Sequence, residues 1–181
     1  MKLEYALEKS DFIVFQLYTA SKSDRINRKR YRTKIIFPII YIALGLISLL
    51  INDITLSVFF ILVGFLWYFF YPRYERNSYV KHYQNFIEEN YKNRFGKSVT
   101  IEFEDDAILS KDYTGESRIY LSEIEALIEI NDYFFLKCNS GDTLIIPKNR
   151  ITSSEPIDLY LIDLSTRLKI IHDIDLNWKW K

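Results

Sequence analysis

The sequence is poor in the residues that most often carry chemistry. Among its 181 residues there is one cysteine, and the two histidines, His82 and His172, have no further histidine or cysteine at metal-ligand spacing. The single Cys138 excludes an intramolecular disulfide and a cysteine-based zinc site. The five glycines are scattered and form no phosphate-binding loop. We therefore predict no catalytic residue, no metal, no cofactor and no enzymatic activity.

The charges are segregated along the chain, although the net charge is zero. Residues 1–34 carry nine basic and four acidic groups, and residues 73–97 carry six basic and three acidic groups. Residues 98–181 carry nine basic and sixteen acidic groups, a net charge of −7. Between the two basic segments, residues 35–72 carry only Asp53. The basic charge therefore flanks an apolar block, and the acidic charge lies beyond it.

The apolar block consists of two uncharged runs, of 18 residues at 35–52 and of 19 residues at 54–72. A helix rises about 1.5 Å per residue and the hydrocarbon core is about 30 Å thick, so each run is long enough to cross a membrane. Asn52 and Asp53 separate the runs, and a turn there must lie at an interface, because its backbone needs polar partners. We predict a transmembrane helical hairpin over residues 35–71, with spans at 35–51 and 54–71 and Pro38 in the first turn of the first span.

Lysine and arginine precede the first span and follow the second, while the connecting turn has neither. The positive-inside rule therefore predicts a two-span protein of the cell membrane with both termini in the cytoplasm. The residues predicted to lie at the membrane interface, near lipid headgroups, are Arg25, Arg28, Lys29, Arg30, Arg32, Lys34, Trp67, Tyr68, Tyr71, Arg73 and Arg76. The basic cluster is interpreted as a topology signal, with recruitment of anionic lipid as the alternative. No nucleic-acid partner is predicted.

The segments around the hairpin have helical and strand periodicities. Residues 2–7 predict a short strand, and residues 11–22 predict a helix capped by Ser10 that continues into the first span. Residues 76–95 predict a separate amphipathic helix ending at Gly96. The resulting division of the chain is a basic N-terminal part over 1–34, the hairpin over 35–71, a linker helix over 72–96 and a cytoplasmic domain over 97–181.

The C-terminal part alternates with period two and contains several turn signals. Strands are predicted near residues 97–104, 107–111, 117–121, 125–130, 133–138 and 143–146. A helix near residues 157–168 follows, with Ser153 or Ser154 as its cap and Pro156 in its first turn. The fold class is therefore α+β, with a curved antiparallel sheet closed by a C-terminal helix. The apolar pattern of residues 1–22 indicates that they join this domain.

Several segments resemble the YcxB-like family of bacterial membrane proteins. They are the opening LEYALEKSDFIVFQLY, the basic run before the hairpin, IEALIEINDYFFL at 124–136 and LIIPKNRI at 144–151. The resemblance implies a two-span hairpin followed by a small domain with a pleckstrin-homology-like fold. It implies no reaction, cofactor or catalytic residue.

Two functions agree with these features. The first is a membrane-anchored binding or scaffold module that engages a protein or peptide partner at the inner face of the membrane, and the alternative is a sensor of lipid headgroups. The candidate contact residues are Lys148, Arg150, Trp178 and Trp180. Lys148 and Arg150 fit either a phosphate contact or an exposed loop pair, and the tryptophans fit either a membrane contact or a packed tail.

Gly45, Ser48 and Gly64 are predicted to let the two spans pack closely. The oligomeric state stays open.

Overall fold

The computed structural model describes residues 1–113, 115–153 and 156–181, without the side chain of Ser153. The chain forms two compact units. One, here called the β unit, comprises Met1–Phe15 and Phe86–Lys179. The other, here called the helical unit, comprises Gln16–Asn85 and Trp180–Lys181.

The α-helices of the described residues are α1 (Lys9–Lys22), α2 (Asp24–Leu50), α3 (Ile54–Tyr91) and α4 (Ile157–Leu168). Helix α1 begins one residue before Ser10, so the prediction of Ser10 as its cap is wrong. The carboxylate of Asp11 caps the helix instead, because it accepts a hydrogen bond of 2.6 Å from the backbone N–H of Glu8. The predicted continuity of α1 with the first span is also wrong. Ser23 separates the helices and caps α2 by accepting from the Ile26 N–H at 3.4 Å.

The turn between α2 and α3 lies where the sequence predicts it. Asn52 has a φ of 61°, a left-handed conformation that asparagine tolerates better than most residues. Asp53 caps α3, since its Oδ1 accepts from the Leu56 N–H at 3.0 Å. Pro38 is not in the first turn of its helix, because α2 begins at Asp24 and Pro38 lies in its interior. The basic stretch before the apolar run is itself helical, which moves the helix start away from the proline.

Small residues form the contact between α2 and α3. The buried residues of α2 are Pro38, Gly45 and Ser48, and Ser57 and Gly64 of α3 are also buried. A methyl group added at Gly45 would lie 2.8 Å from Ile61 Cγ1 and 3.1 Å from the carbonyl oxygen of Ser57. The helices therefore approach each other closely at Gly45, as small residues permit, and the prediction that the two helices pack through them is confirmed.

Helix α3 continues without a break through Pro72 to Tyr91. The predicted separate helix starting near Arg76 is therefore wrong. A short 3-10 helix at Lys92–Arg94 follows, and Gly96, with a φ of 68°, lies beyond it. Helices α2 and α3 are both long and apolar enough to cross a membrane, each with an apolar stretch of mean hydropathy 2.1.

The described strands of the β unit form two sheets. They are β1 (Lys2–Ala6), β2 (Ser98–Phe103), β3 (Ala107–Asp112), β4 (Gly115–Tyr120), β5 (Ile124–Ile130), β6 (Tyr133–Cys138), β7 (Thr143–Pro147), β8 (Thr152–Ser153) and β9 (Ile171–Asp175). One sheet has the order β4-β3-β2-β1-β8, and the other has the order β7-β6-β5-β9. Strand β1 lies between β2 and β8, which confirms that the N-terminus joins the domain.

A single hydrophobic core fills the β unit. It takes Leu3 from β1, Ile101 from β2, Leu127 from β5 and Phe134 from β6, with Leu161 of α4. Each of these five side chains has no exposed surface. Helix α4 contributes the stripe predicted from its 3.6-residue period, and it buries this stripe against strands of both sheets.

The prediction of one antiparallel sheet is wrong in two respects. The chain leaves the first sheet at a 3-10 turn, Leu121–Glu123, where Leu121 turns into the core and its N–H donates to the Asp106 carbonyl at 2.9 Å. Strands β4 and β5 are therefore in different sheets. In addition, β9 pairs in parallel with β5, from Ala126 opposite Ile171 to Ile130 opposite Asp175. The α+β class is confirmed. Pro156 precedes α4 instead of lying in its first turn, and Ser154 is outside the described residues.

The contact at Gly45 generates a prediction with an internal control. Gly45→Ala should destabilise the helical unit by about 1–3 kcal/mol, because the added methyl overpacks against Ile61 and a backbone oxygen. Gly64→Ala should cost clearly less stability than Gly45→Ala, since its methyl would meet Pro38 O and Tyr41 Cβ at 3.4 Å, an ordinary contact distance. Thermal unfolding of the full chain in detergent, followed by circular dichroism, measures both. An equal loss in the two variants would contradict the packing described above.

Candidate functional site

An open cleft of about 640 Å³ lies in the β unit between two strand edges. Strand β4 forms one wall, and the start of β7 with the preceding turn forms the other. We call this cleft the seam. It is lined by Arg94, Ser110, Asp112, Gly115, Glu116, Ser117, Arg118, Ile119, Tyr120, Glu123, Cys138, Ser140, Asp142, Thr143 and Leu144. In the described part of the chain, β4 and β7 are each the last strand of their sheet, so both walls are edges.

The free hydrogen-bonding groups of β4 follow from its pairing with β3. The N–H of Leu121 donates to Asp106 across this ladder, and backbone directions alternate along a strand. Ile119 and Ser117 therefore face β3, opposite Ile108 and Ser110. The N–H and C=O groups of Glu116, Arg118 and Tyr120 point away from the sheet, where an added strand would bind.

The same reasoning applies to β7. The N–H of Cys138 donates to the carbonyl of Asp142 at 2.9 Å, and Leu144 lies opposite Leu136 in the ladder. The backbone groups of Thr143 and Ile145 therefore point away from β6. The next outward position is Pro147, which has no N–H to offer. The proline blocks one end of this edge, and its start, beside the seam, remains able to pair.

The side chains around the seam give it an acidic character with a small apolar floor. The lining of the seam includes four carboxylates and two guanidinium groups. One of those, Arg118, is already paired with Glu104 and Asp106, each at 3.0 Å. Ile119 and Leu144 are partly buried and pack against the core from this side. The seam therefore offers apolar contacts on its floor and negative charge at its rim.

Cys138 lines the seam but is only 3% exposed. Burial raises the pKa of its thiol, and the nearby carboxylates of Asp142 and Glu123 raise it further. The thiol is therefore protonated at neutral pH, and a protonated thiol is a poor nucleophile. Among the residues that the structure describes, no three His, Cys, Asp or Glu side chains are grouped so that they could hold a metal ion.

Arg150 is not an exposed loop residue, because it pairs with a fully buried carboxylate. Asp11 has no exposed surface, and its Oδ1 accepts from the Tyr133 hydroxyl at 2.8 Å and pairs with the Arg150 guanidinium. Arg150 also lies 3.2 Å from the carboxylate of Glu8. Burial and the hydrogen bond to Asp11 raise the pKa of Tyr133. This cluster joins α1, β6 and the short 3-10 helix at Lys148–Arg150.

Lys148 is likewise engaged inside the β unit. Its Nζ lies 2.8 Å from Glu129 Oε1 and 4.3 Å from the centre of the Phe134 ring. The other oxygen of Glu129 is 3.0 Å from Nε2 of His172 on β9. Burial alone would raise the pKa of Glu129, but Lys148 and His172 outweigh it and leave that pKa lowered. The prediction of an exposed Lys148–Arg150 pair is wrong, since both side chains are held by internal carboxylates.

The basic residues before the apolar run divide between two sides of α2. Arg25, Arg28, Lys29 and Arg32 are exposed, and they recur at positions i, i+3, i+4 and i+7 of the helix, which is one face. We call these four residues the basic stripe. With Thr33 they line an open groove of about 620 Å³, and no ion pair within the described part of the chain involves them.

Arg30 lies off this stripe, and its groups are used internally. Its Nε is 3.2 Å from Glu75 Oε2, and its guanidinium stands 4.6 Å from the centre of the Trp180 ring. Trp180 is 7% exposed, and its indole N–H donates to the Arg76 carbonyl at 3.4 Å. Its ring therefore packs on the helices of the helical unit, which is the packed-tail alternative of the sequence interpretation.

The remaining predicted interface residues lie at the basic end of the apolar stretches. The indole of Trp67 stacks on Tyr71 at 4.9 Å and donates to the Thr33 carbonyl at 3.4 Å. The Lys34 ammonium stands 4.7 Å from the ring of Tyr68. Arg73 and Arg76 are exposed on α3. Trp178, in the β unit, is half-buried, with its backbone N–H bonded to the Asp175 carbonyl at 3.0 Å.

The seam is not evident from the sequence. The predicted strands end at residue 111 and resume at residue 117, whereas β4 begins at Gly115 and pairs with β3 from that residue on. A free edge depends on which strands pair, and the alternation of apolar residues does not report that pairing. The proline at the end of the 143–147 run was a usable signal, because proline within a sheet is confined to edge strands and strand ends.

Comparisons with known proteins give one finding. A family model described as YcxB-like protein matches residues 103–161, from the end of β2 to the middle of α4. No curated protein and no solved structure matches the chain. The matched segment contains most of the seam and two of the four segments in which the sequence resembles the family, those at 124–136 and 144–151. Residues 103–161 are therefore similar to the YcxB-like family, which confirms the resemblance over this part of the chain.

Proposed function

We propose that the chain is an integral membrane protein whose α2–α3 hairpin spans the membrane, and that the β unit is a non-catalytic module that binds a protein or peptide at the cytoplasmic face. The main support for a membrane-spanning hairpin is the exposure of its apolar surface. Only 17% of the apolar stretch of α2 and 11% of that of α3 are buried inside the protein. A helix of a water-soluble protein buries its apolar face and keeps a polar face outside. Lipid chains supply the cover that these two helices lack.

The orientation rests on the position of the charges. The basic stripe precedes the apolar run of α2, Arg73 and Arg76 follow that of α3, and the turn at Asn52 and Asp53 has no basic residue. Basic residues are retained on the cytoplasmic side. We therefore propose that both chain ends are in the cytoplasm and that the turn is on the opposite side.

The binding role is supported by the architecture of the β unit. Two sheets share one core, and α4 packs on that core. This arrangement supports our proposal that the β unit is a pleckstrin-homology-like domain. Large apolar side chains remain exposed on three of its elements: Tyr120 on β4 at 54%, Leu159 on α4 at 70%, and Ile171 and Ile174 on β9 at 68% and 57%. A contiguous apolar patch marks a surface that binds other molecules, so these side chains are the positions at which to look for a partner.

The topology can be measured with single added cysteines. In intact cells that express the full chain, Asn52→Cys should react with a membrane-impermeant maleimide. Leu159→Cys, an exposed position of the β unit, should react only after the membrane is permeabilised. The native Cys138 gives little background, because it is buried and its thiol pKa is raised. Labelling of Leu159→Cys in intact cells, or protection of Asn52→Cys, would contradict the topology.

The binding role can be tested by photocrosslinking in cells. A photoreactive amino acid at Tyr120, Leu159 or Ile174, one exposed position on each of three elements, should give a discrete adduct from at least one position. A binding surface covers one side of a domain, so the other positions should give none. The chain with the same group at Phe59, an exposed residue of the apolar stretch of α3, is the control for nonspecific capture. The binding role fails if all three positions behave like this control.

Lipid-headgroup binding is the second candidate function, and the basic stripe favours it. Four cations on one helix face, with no acidic partner among the described residues, adjoin the apolar run that begins at Ile35. Each basic residue near an anionic surface contributes about 1 kcal/mol. The acidic β unit is less suited to this role, because its net negative charge is repelled by the same surface.

The stripe can be tested in nanodiscs that contain phosphatidylglycerol and phosphatidylcholine. Phosphatidylglycerol retained by the full chain, measured by native mass spectrometry, should fall at least tenfold when Arg25, Arg28, Lys29 and Arg32 are changed to glutamine. In the matched control, four exposed lysines outside the stripe are changed to glutamine instead: Lys92, Lys97, Lys169 and Lys179. Equal retention by the two quadruple variants would refute a headgroup site, and competition by free inorganic phosphate would show that the phosphate alone is recognised.

A further inference from the structure

Among the described residues, the seam presents two unpaired strand edges to one cleft. Outward backbone groups of β4 lie on one wall, and those of Thr143, at the start of β7, lie on the other. An extended chain in this cleft would have outward backbone groups of β4 on one side and those of Thr143 on the other. Binding by strand addition needs such an exposed edge, with pockets that select alternate side chains. Strand β4 has six residues, about 20 Å at 3.3 Å per residue, so the edge accommodates a segment of five or six residues.

The walls of the seam define the side chains of that segment. In an extended chain, successive side chains point to opposite faces. Those on the inner face would meet Ile119 and Leu144, which are partly buried against the core, and therefore must be apolar. Those on the outer face would meet the rim, where Glu123 and Asp142 take part in no ion pair of the described residues. Glu116 at the same rim is engaged by Lys111. Arg94 also lines the seam without an ion pair among the described residues, so two unpaired carboxylates stand against one guanidinium group. The uncompensated charge is therefore negative, and outer positions favour lysine or arginine.

We propose that the seam binds an extended peptide segment in which apolar and basic residues alternate, as an added β-strand between β4 and β7. This inference rests on the proposed binding role of the β unit and names the chemistry of its partner. A second copy of this chain is a poorer occupant, since its own seam edges carry the same negative charge and like charges oppose each other across a strand pair. The blocked position at Pro147 restricts pairing to the start of β7.

The test uses the full chain in nanodiscs and a fluorescent peptide of alternating lysine and valine, six residues long. We expect saturable binding by anisotropy that weakens as salt rises. The same peptide with glutamate in place of lysine should bind at least tenfold more weakly. Two N-methylated forms of the lysine peptide test the two edges separately. One is methylated on the odd-numbered amides and the other on the even-numbered amides, and in an extended chain these two sets point to opposite sides. At least one of them should bind at least tenfold more weakly, because an N-methyl group removes the hydrogen bond on that side.

Variants of the chain identify the edge. Glu116→Pro removes an outward N–H of β4 and should weaken binding at least tenfold, whereas Glu116→Gln keeps the N–H and removes the same charge, so it should change binding less than threefold. Thr143→Pro and Thr143→Val form the equivalent pair on β7. Circular dichroism of each variant checks that the β unit is folded. If a proline variant does not fold, the N-methylated peptides alone decide the question.

Several results would overturn the inference. Absence of binding of the lysine–valine peptide refutes it, and so does equal binding of both N-methylated forms and the parent peptide. Equal binding of the glutamate peptide refutes the charge assignment. Self-association of the full chain that Glu116→Pro abolishes would identify a second copy as the occupant and would also refute the proposal. If these tests fail while photocrosslinking gives an adduct at Leu159 or Ile174, the β unit is a binding module with another surface, so the two failures are distinguishable.

Discussion

The buried carboxylate of Asp11 is the interaction on which the arrangement of the β unit most depends. It receives the Glu8 N–H, the Tyr133 hydroxyl and the Arg150 guanidinium, and so links the start of α1 to β6 and to the turn after β7. Such a charge is tolerated inside a protein only when it is paired and hydrogen-bonded. Removing one partner of a buried pair typically costs about 3–5 kcal/mol, against a total stability of about 5–15 kcal/mol for a domain. The N-terminal segment is therefore held in place by the contacts of the Asp11 carboxylate as well as by the pairing of β1.

Much of the local structure was predictable, because local patterns determine it. The alternation of Ile101 and Phe103, the glycine turn at Gly141 and the apolar stripe of α4 each placed an element within a few residues. The pairing of strands was less accessible. Strand β8 has only two residues, and β9 reads Ile-His-Asp-Ile-Asp, with no buried side chain. Neither has a hydrophobic pattern, and both are held by long-range pairing, to β1 and β5 respectively.

In the candidate sites, too, local features could be predicted from the sequence and long-range contacts could not. The positions of the basic residues were evident, but their roles depended on where α2 begins. Once the helix starts at Asp24, Arg28 and Lys29 fall on the exposed face while Arg30 turns toward Glu75 and Trp180. From the sequence alone, Lys148 and Arg150 fit either a phosphate contact or an exposed loop pair. Their carboxylate partners, Glu129 and Asp11, are 19 and 139 residues away in the sequence, so spacing alone did not reveal them.

The seam also has a consequence for the behaviour of the purified protein. Free strand edges are a liability, and proteins commonly protect them with proline, charge or a covering element. Here Pro147 protects one end of β7, and the rest relies on the acidic rim, which repels other copies. Electrostatic repulsion between exposed groups is screened within about 8 Å at physiological ionic strength and within about 3 Å at 1 M salt. The colloidal stability of this protein should therefore decrease as salt is added, although its fold does not change.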